Sequence, residues 1–155
     1  MLQYFIPRRQ EKTEPVPIRG KLRSVCEIDA RHGKLPRTMH QHEDRAEIIL
    51  VTGGRGSFNI DTGHYLASPG DVLFFDSGIL HDETTIDGDL ATSCLGVSDF
   101  QLPGRRANEM VGRPYAPQLS LDAQFDAVRT LFHTAVQLAL AGDAPCVLDQ
   151  LTCAI

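Results

Sequence analysis

Turn-forming residues recur along the chain between Lys21 and about Val97, and their spacing limits the fold more than any other feature of the sequence. Clusters such as Ser68-Pro69-Gly70-Asp71 separate short runs of apolar and β-branched residues. Short strands with turn signals every roughly eight to twelve residues are typical of antiparallel sandwiches and barrels. The run Glu47–Val51 is apolar on both faces, which predicts a strand covered on both sides. The sequence therefore predicts a mainly β fold.

The hydrophobic pattern changes to a helical one near the C-terminus. Apolar residues at helical spacing predict a helix from Leu121 to Leu140, with Ser120 as its N-cap and Gly142 at its end. Asp143-Ala144-Pro145 is typical of the start of a second helix, whose apolar stripe reaches Ile155 without a stop signal. We therefore expect two C-terminal helices and a native chain that continues beyond Ile155; a flexible tail is the alternative.

The chain has 155 residues, which suits one domain and leaves little room for two. Its predicted segments are an arm at 1–20, a barrel at 21–100, a connector at 101–119 and a helical segment at 120–155. The formal net charge of −5 argues against direct nucleic-acid binding, because phosphate contacts need a basic face.

Membrane and secreted classes are also disfavoured. No apolar run approaches the roughly 20 residues that a membrane helix needs, and the N-terminus has no apolar stretch typical of a signal peptide. The four cysteines form no Cys-x-x-Cys pair, which suits thiols in a reduced compartment. We predict a cytoplasmic protein with no membrane partner.

Three histidines and one glutamate carry the chemistry. His40 and His42 are two residues apart in an extended segment, so their imidazoles point the same way. Glu47 begins the next apolar strand, and His81 opens a later one. If the strands bring these side chains together, they can hold a divalent transition metal, and this ligand set suits Zn, Mn, Fe, Ni or Cu equally.

The first of two motifs runs from Gly33 to Gly54. It reads Gly33, six residues, His40, one residue, His42, four residues, Glu47, six residues and Gly54. This block resembles the first motif of the cupin superfamily, written G-x5-H-x-H-x(3,4)-E-x6-G. One extra residue between Gly33 and His40 is the only departure.

The second motif resembles the cupin pattern G-x5-P-x-G-x2-H-x3-N. Here it reads Gly70, five residues, Asp76, one residue, Gly78, two residues, His81, three residues and Thr85. Asp76 replaces the usual proline and Thr85 the usual asparagine. The resemblance implies a double-stranded β-helix (jelly-roll) barrel with a metal on the positions matching the three histidines and the glutamate. The alternative is inherited cupin geometry with no metal bound.

The order of segments resembles the sensor half of AraC-type bacterial transcription regulators. In that family an arm precedes one cupin barrel, and helices after the barrel mediate dimerisation. The resemblance implies a small-molecule effector, a homodimer through residues 120–155, and a DNA-binding domain that lies outside this chain. A stripe of Val128, Leu131 and Leu138 is the predicted dimer surface; wholly intramolecular packing of this helix is the alternative.

Four further residues are candidate ligand contacts. Glu83 and Thr85 alternate with His81 and so share its face, which places them either in the cavity or at a solvent-facing barrel mouth. Phe74 and Phe75 lie on opposite faces of their strand, and Phe74 is the predicted pocket residue; plain core packing is the alternative. Arg37 precedes the histidine pair and suits an anionic effector, or else is simply solvated.

These observations favour an effector-sensing domain over catalysis, and no catalytic residue is assigned. The main alternative is a stand-alone metal-dependent cupin enzyme of the dioxygenase or isomerase type, in which the metal orients the substrate. A third possibility is a metal sensor, with the ion as the effector.

Overall fold

The computed structural model of the chain describes residues 20–142 and Asp149. It contains nine strands: β1 (Lys21–Ile28), β2 (Arg37–His40), β3 (Ala46–Gly53), β4 (Gly56–Ile60), β5 (Gly63–Ala67), β6 (Asp71–Phe75), β7 (His81–Thr85), β8 (Ala91–Ser98) and β9 (Gln118–Ser120). A 3₁₀ turn at Asp122–Gln124 leads into helix α1 (Phe125–Ala141). The predicted arm at 1–20 lies outside the described residues except for Gly20.

The strands form two antiparallel sheets, in the orders β1-β8-β3-β6-β9 and β2-β7-β4-β5. From β1 to β8 the chain crosses from one sheet to the other at every step except the β4–β5 hairpin, so most neighbours within a sheet are distant in sequence. This interleaving is the jelly-roll arrangement, which cupins share. The prediction of a mainly β jelly-roll fold is confirmed. Strand β9 was not predicted; it adds the end of the connector to the edge of β6.

Strand β3 carries core side chains on both faces, as its unbroken apolar run predicts. Ile49 and Val51 belong to the core between the two sheets, together with Phe58 of β4. Ile48 and Leu50 belong to a second core, between the five-stranded sheet and α1. The alternation of a strand therefore fixes Glu47, two residues before Ile49, on the inner face.

Helix α1 covers the outer face of the five-stranded sheet. Phe132 and Ala135 are fully buried in the second core, and Val128 packs against it. The predicted helix start is wrong. Ser120 lies in β9, where it pairs with Asp71 of β6, and it does not cap the helix. The predicted end is confirmed, because Gly142 adopts φ +71° and its N–H donates to the carbonyls of the last turn.

The structure describes one C-terminal helix, not two. The second predicted helix lies outside the described residues except for Asp149, which is helical and whose carboxylate accepts a hydrogen bond from the Leu22 amide at 2.8 Å. Within residues 20–142, no helix is both long enough and apolar enough to span a membrane.

Candidate metal centre

The jelly-roll pairing brings the four predicted ligands together at one end of the barrel. His40 ends β2 and lies directly opposite His81, the first residue of β7, while His42 follows two residues later. Glu47 reaches the same place from β3 of the other sheet. One ligand atom from each of the four residues lies within 4.8 Å of the others.

Backbone carbonyls orient two of the imidazoles. Nδ1 of His40 lies 2.8 Å from the Thr38 carbonyl, and Nδ1 of His81 lies 2.8 Å from the Ile79 carbonyl. A carbonyl oxygen can only accept a hydrogen bond, so each Nδ1 carries the proton and each Nε2 keeps its lone pair. Fixing the tautomer through the second ring nitrogen is the usual way in which proteins prepare a histidine ligand.

His81 Nε2 is the clearest sign that the cluster fits a metal. This atom is fully buried, has no hydrogen-bond partner among the described residues, and lies 3.9 Å from Glu47 Oε2. A buried nitrogen lone pair without a partner costs free energy, so such an atom requires an explanation. Two ligands of one first-row ion are at most roughly 4.2 Å apart, so the observed cluster needs only a small contraction.

The surroundings of His42 and His81 favour the neutral form of these two imidazoles. Burial lowers the pKa of His81, and the hydrogen bond to the Ile79 carbonyl only partly offsets this effect. The ring of Phe75 stacks on His81 with a centroid distance of 4.2 Å and shields that face from water. Burial also lowers the pKa of His42, and the Glu47 carboxylate opposes the shift. Neutral imidazoles are the form that binds metal.

Arg45 is part of the centre and was not predicted. Its Nη2 lies 2.9 Å from Nδ1 and 3.4 Å from Nε2 of His42, and its Nε lies 3.5 Å from Glu47 Oε1. His42 Nε2 is itself 3.3 Å from that oxygen. Its position between two motif residues is the only sequence signal, because the cupin pattern leaves it unspecified.

Glu83 and Arg37 form an ion pair beside the centre. Arg37 lies opposite Glu83 in the β2–β7 ladder, and its Nη1 is 2.6 Å from Glu83 Oε1. Glu83 is only 6% exposed, and its Oε2 has no hydrogen-bond partner among the described residues. Burial raises the pKa of this carboxyl group, and the Arg37 guanidinium opposes the shift.

The other two predicted ligand contacts are placed elsewhere. Thr85 Oγ1 accepts hydrogen bonds from the amides of Gly88 and Leu90, so it holds the β7–β8 turn together. Phe74 packs against the core beneath α1, because the inner face of β6 belongs to Phe75 instead. The structure therefore brings neither side chain to the histidine cluster.

Asp76, which stands where the cupin motif has proline, has a structural task that the sequence did not reveal. Its Oδ1 accepts hydrogen bonds from the amides of Met110 and Val111, at 2.6 and 3.3 Å, and its Oδ2 accepts one from Gly112 at 2.9 Å. The carboxylate thereby fastens the connector to the turn that precedes His81.

A groove of about 830 Å³ lies beside this connector. Apolar residues form much of its wall: Ile60, Tyr65, Phe74, Ile79, Val111 and Pro117. Ion pairs Arg113–Asp61 and Arg106–Glu109 lie at its edge. By contrast, the interior between the sheets is filled by side chains, and the void beside Arg37 and Glu83 is only about 20 Å³.

Comparison with known proteins gives a family match over most of the chain. A sequence family described as "AraC-like ligand binding domain" matches residues 24–140. The uncharacterized HTH-type transcriptional regulator YdiP of Escherichia coli (strain K12) is 28% identical over 95 residues, which are 61% of this chain and 31% of that protein. The chain thus spans about a third of the length of this curated relative.

The fold is similar to that of a solved bacterial protein. YhaK from Escherichia coli is 17% identical, with a TM-score of 0.50 over 79% of this chain and 49% of that one. KdgF from a Halomonas species is 21% identical, with a TM-score of 0.42 over 63% of this chain and 94% of that one.

Proposed function

This chain belongs to the AraC-like ligand-binding domain family, and from that premise we propose that it is the effector-sensing and dimerisation domain of a bacterial transcription regulator, with a divalent transition metal in its barrel. The observation that carries the metal part is the buried Nε2 of His81, which has no hydrogen-bond partner within the described residues and lies in the cluster of four ligand side chains. The family supports a ligand-sensing role, and the metal centre supports a specific place for the ligand.

His40, His42, Glu47 and His81 would hold the ion. Three neutral imidazoles and one carboxylate suit Zn, Mn, Fe, Ni or Cu. A bound ion supplies a Lewis acid that polarises an oxygen atom of the effector. The chain supports this arrangement by fixing the His40 and His81 tautomers through backbone carbonyls and by covering one face of His81 with Phe75.

Glu83 and Arg37 are the side chains proposed to recognise the effector next to the ion. The free Oε2 of Glu83 offers a buried acceptor to a hydroxyl or amine of the effector, while Arg37 holds the other oxygen. Because the adjoining void is water-sized, an effector there must displace side chains. The effector would then bind the displaced arrangement of side chains more tightly than the original one. A sensor requires such a difference in affinity between two conformations.

The helical segment 120–155 is proposed to form a homodimer. Val128 packs inside the chain, so the surface available on α1 is smaller than the predicted stripe and is centred on Leu131, Leu138 and the 76% exposed Leu140. DNA would be read by helix-turn-helix units outside these 155 residues. The helix-turn-helix regulator of which this chain covers 31% supports that division of labour.

The alternative of a metal-dependent enzyme keeps one observation in its favour. Glu83 is a buried carboxyl group with a raised pKa and a free oxygen close to the ligand cluster, which is how a general acid is prepared. In an enzyme, Glu83→Gln would abolish turnover of a small oxygenated substrate. In a sensor it would change only the binding of the effector.

Metal content tests the proposed function directly. The protein is stripped with chelator, incubated with Zn²⁺ and desalted, and the bound metal is measured by elemental analysis. We expect about one equivalent for the wild type and a large loss for His81→Ala. His64→Ala is the matched control, because His64 hydrogen-bonds Ser57 on β4 and is not part of the cluster. Equal and substoichiometric metal in all three proteins would refute the metal centre.

A further inference from the structure

Arg45 lies where its positive charge meets two of the four candidate metal ligands. Its guanidinium contacts both ring nitrogens of His42, at 2.9 and 3.4 Å, and approaches the Glu47 carboxylate at 3.5 Å. A divalent ion held by the cluster would need the same two partners. The Arg45 guanidinium therefore occupies the position in which a divalent ion would contact His42 and Glu47.

An arginine at this position blocks His42 as a ligand. Every guanidinium N–H is a donor, so Arg45 can hydrogen-bond only the His42 nitrogen that carries the lone pair, and the shorter contact, 2.9 Å, is to Nδ1. The proton is then on Nε2, which lies 3.3 Å from Glu47 Oε1 and donates to it. Both nitrogens of His42 are then engaged, in contrast to the free Nε2 of His81.

The fold prepares a place for this inward-turned arginine. Gly96 lies opposite Glu47 in the β3–β8 ladder, and a Cβ added there would come within 3.1 Å of Arg45 Cδ and 2.3 Å of Ser24 Oγ. The missing side chain thus leaves room for the Arg45 stem. Its Nε is buried without a hydrogen-bond partner in the described chain, which shows that the position is held at a cost.

We propose that Arg45 is an internal cation that occupies the His42–Glu47 side of the centre in the metal-free protein and leaves when a divalent ion binds. This inference rests on the proposed metal centre. It adds that the ion binds only in exchange for the Arg45 guanidinium, so that Arg45 limits metal affinity. The released arginine has Asp44 as a surface partner, already 3.0 Å from Nη1.

The exchange falls on the side chain because the local backbone is anchored. The carbonyls of His42, Glu43 and Asp44 accept hydrogen bonds from the Gly78 amide, the Ser77 hydroxyl and the Asn108 side-chain amide, at 2.8, 2.7 and 3.2 Å. The loop can therefore remain in place while Arg45 turns outward.

The test compares Zn²⁺ affinity in wild type, Arg45→Met and Arg129→Met, measured by competition with a chromophoric chelator. Arg45→Met keeps an apolar stem and removes the competing charge, so we expect at least roughly tenfold tighter binding. Arg129→Met controls for net charge, because Arg129 pairs with Asp126 on the exposed side of α1. It should bind as the wild type does.

Each outcome decides something different. Binding that is tighter in Arg45→Met than in both the wild type and Arg129→Met supports the exchange. If the wild type and Arg45→Met bind Zn²⁺ with equal affinity and His81→Ala does not bind it, the exchange is overturned and the metal centre remains supported. Failure of both proteins to bind Zn²⁺ overturns both proposals.

A second measurement does not depend on metal affinity. Histidine ¹⁵N spectra of the chelator-treated protein report the protonation of each ring nitrogen. Arg45→Met should shift the signals of His42 and leave those of His40 unchanged, because the guanidinium contacts His42, whereas His40 Nδ1 bonds the Thr38 carbonyl. Arg45→Gln, which also removes the charge, serves as a second variant should Arg45→Met fold poorly, and an unchanged His42 spectrum in the variants that fold would overturn the exchange.

Discussion

Replacing Asp76 with alanine removes the anchor between the connector and the barrel. The carboxylate accepts hydrogen bonds from three consecutive backbone amides, those of Met110, Val111 and Gly112. These amides lie in a segment without helix or strand, so no ladder satisfies them. The substitution leaves partly buried donors with water as their only new partner.

The size of the effect follows from the bond lengths. Hydrogen bonds to a charged group contribute roughly 1.5–3 kcal/mol each. The bonds of 2.6 and 2.9 Å are well formed, while the 3.3 Å bond adds little. Because the site is half-buried, we take the lower value for the two good bonds, which gives a loss of about 3 kcal/mol. That is a large part of the roughly 5–15 kcal/mol that stabilises a typical domain.

Two assays separate local from global loss. Urea denaturation measures the free energy of unfolding, and hydrogen exchange measures the opening of the three amides. A loss of about 3 kcal/mol corresponds to roughly 100-fold faster exchange. Asp76→Asn keeps one acceptor oxygen and should lose about half as much free energy. Asp126→Ala is the control, because its carboxylate makes an exposed ion pair with Arg129, and it should cost well under 1 kcal/mol.

The reasoning fails if Asp76→Ala unfolds at the same urea concentration as the wild type and its three amides exchange at the same rate. That result would mean that the connector is held by other contacts and that the carboxylate bonds contribute nothing net. Faster exchange at these amides without a change in the global midpoint would still support the anchor, as a local opening.

Three further outcomes are expected. Gly33→Ala should cost about 3 kcal/mol in urea denaturation, because the new Cβ would lie 1.9 Å from the Leu90 carbonyl oxygen. The chelator-treated protein should lose stability as the pH falls below about 6.5, because the folded-state pKa values of His42 and His81 are lowered and the unfolded chain takes up those protons first. Glu83→Gln should gain stability relative to wild type as the pH rises above about 4.5, because the raised folded-state pKa makes ionisation of Glu83 unfavourable.

Each of these expectations has a control and a contrary result. Gly88→Ala also replaces a loop glycine, but nothing lies within 4 Å of its Cβ, so only the strain of φ +82° remains, about 1–2 kcal/mol. An equal cost for both glycine variants would contradict the clash. A stability that is flat between pH 7 and 5 would contradict the histidine argument. A constant difference between Glu83→Gln and wild type across pH would show that Glu83 ionises without penalty.

The metal cluster was accessible from sequence because strand geometry fixes most of it. Alternation points His40 and His42 the same way, and the cupin resemblance implied the convergence of the four side chains that periodicity cannot give. What only the structure shows is how the Nδ1 atoms of His40 and His81 are held. Their hydrogen bonds to carbonyls two residues earlier depend on local backbone geometry, which no residue pattern encodes.

The points at which the structure adds to or departs from the sequence-based expectations have physical causes as well. Ser120 has the right chemistry for an N-cap, but pairing with β6 satisfies its backbone instead, and the chain needs a 3₁₀ turn before α1 can begin. Phe74 and Phe75 differ only in which face of β6 they occupy, and a one-residue change of register exchanges them. Arg37 and Glu83 became partners through cross-strand register, which the separate sequence positions do not reveal.

A sensor must transmit the occupancy of its site to its helices, and the turn at residues 76–78 is where the contacts for this meet. It holds the His42 carbonyl through the Gly78 amide, and it holds the connector through the Asp76 carboxylate. If metal binding fixes this turn, Zn²⁺ should slow amide exchange at residues 110–112 in the wild type but not in Asp76→Ala, although both proteins bind the ion. Coupling requires two arrangements that the ligand distinguishes, so proximity alone is not sufficient. Equal exchange with and without Zn²⁺ in the wild type would show that the turn connects the two regions without coupling them.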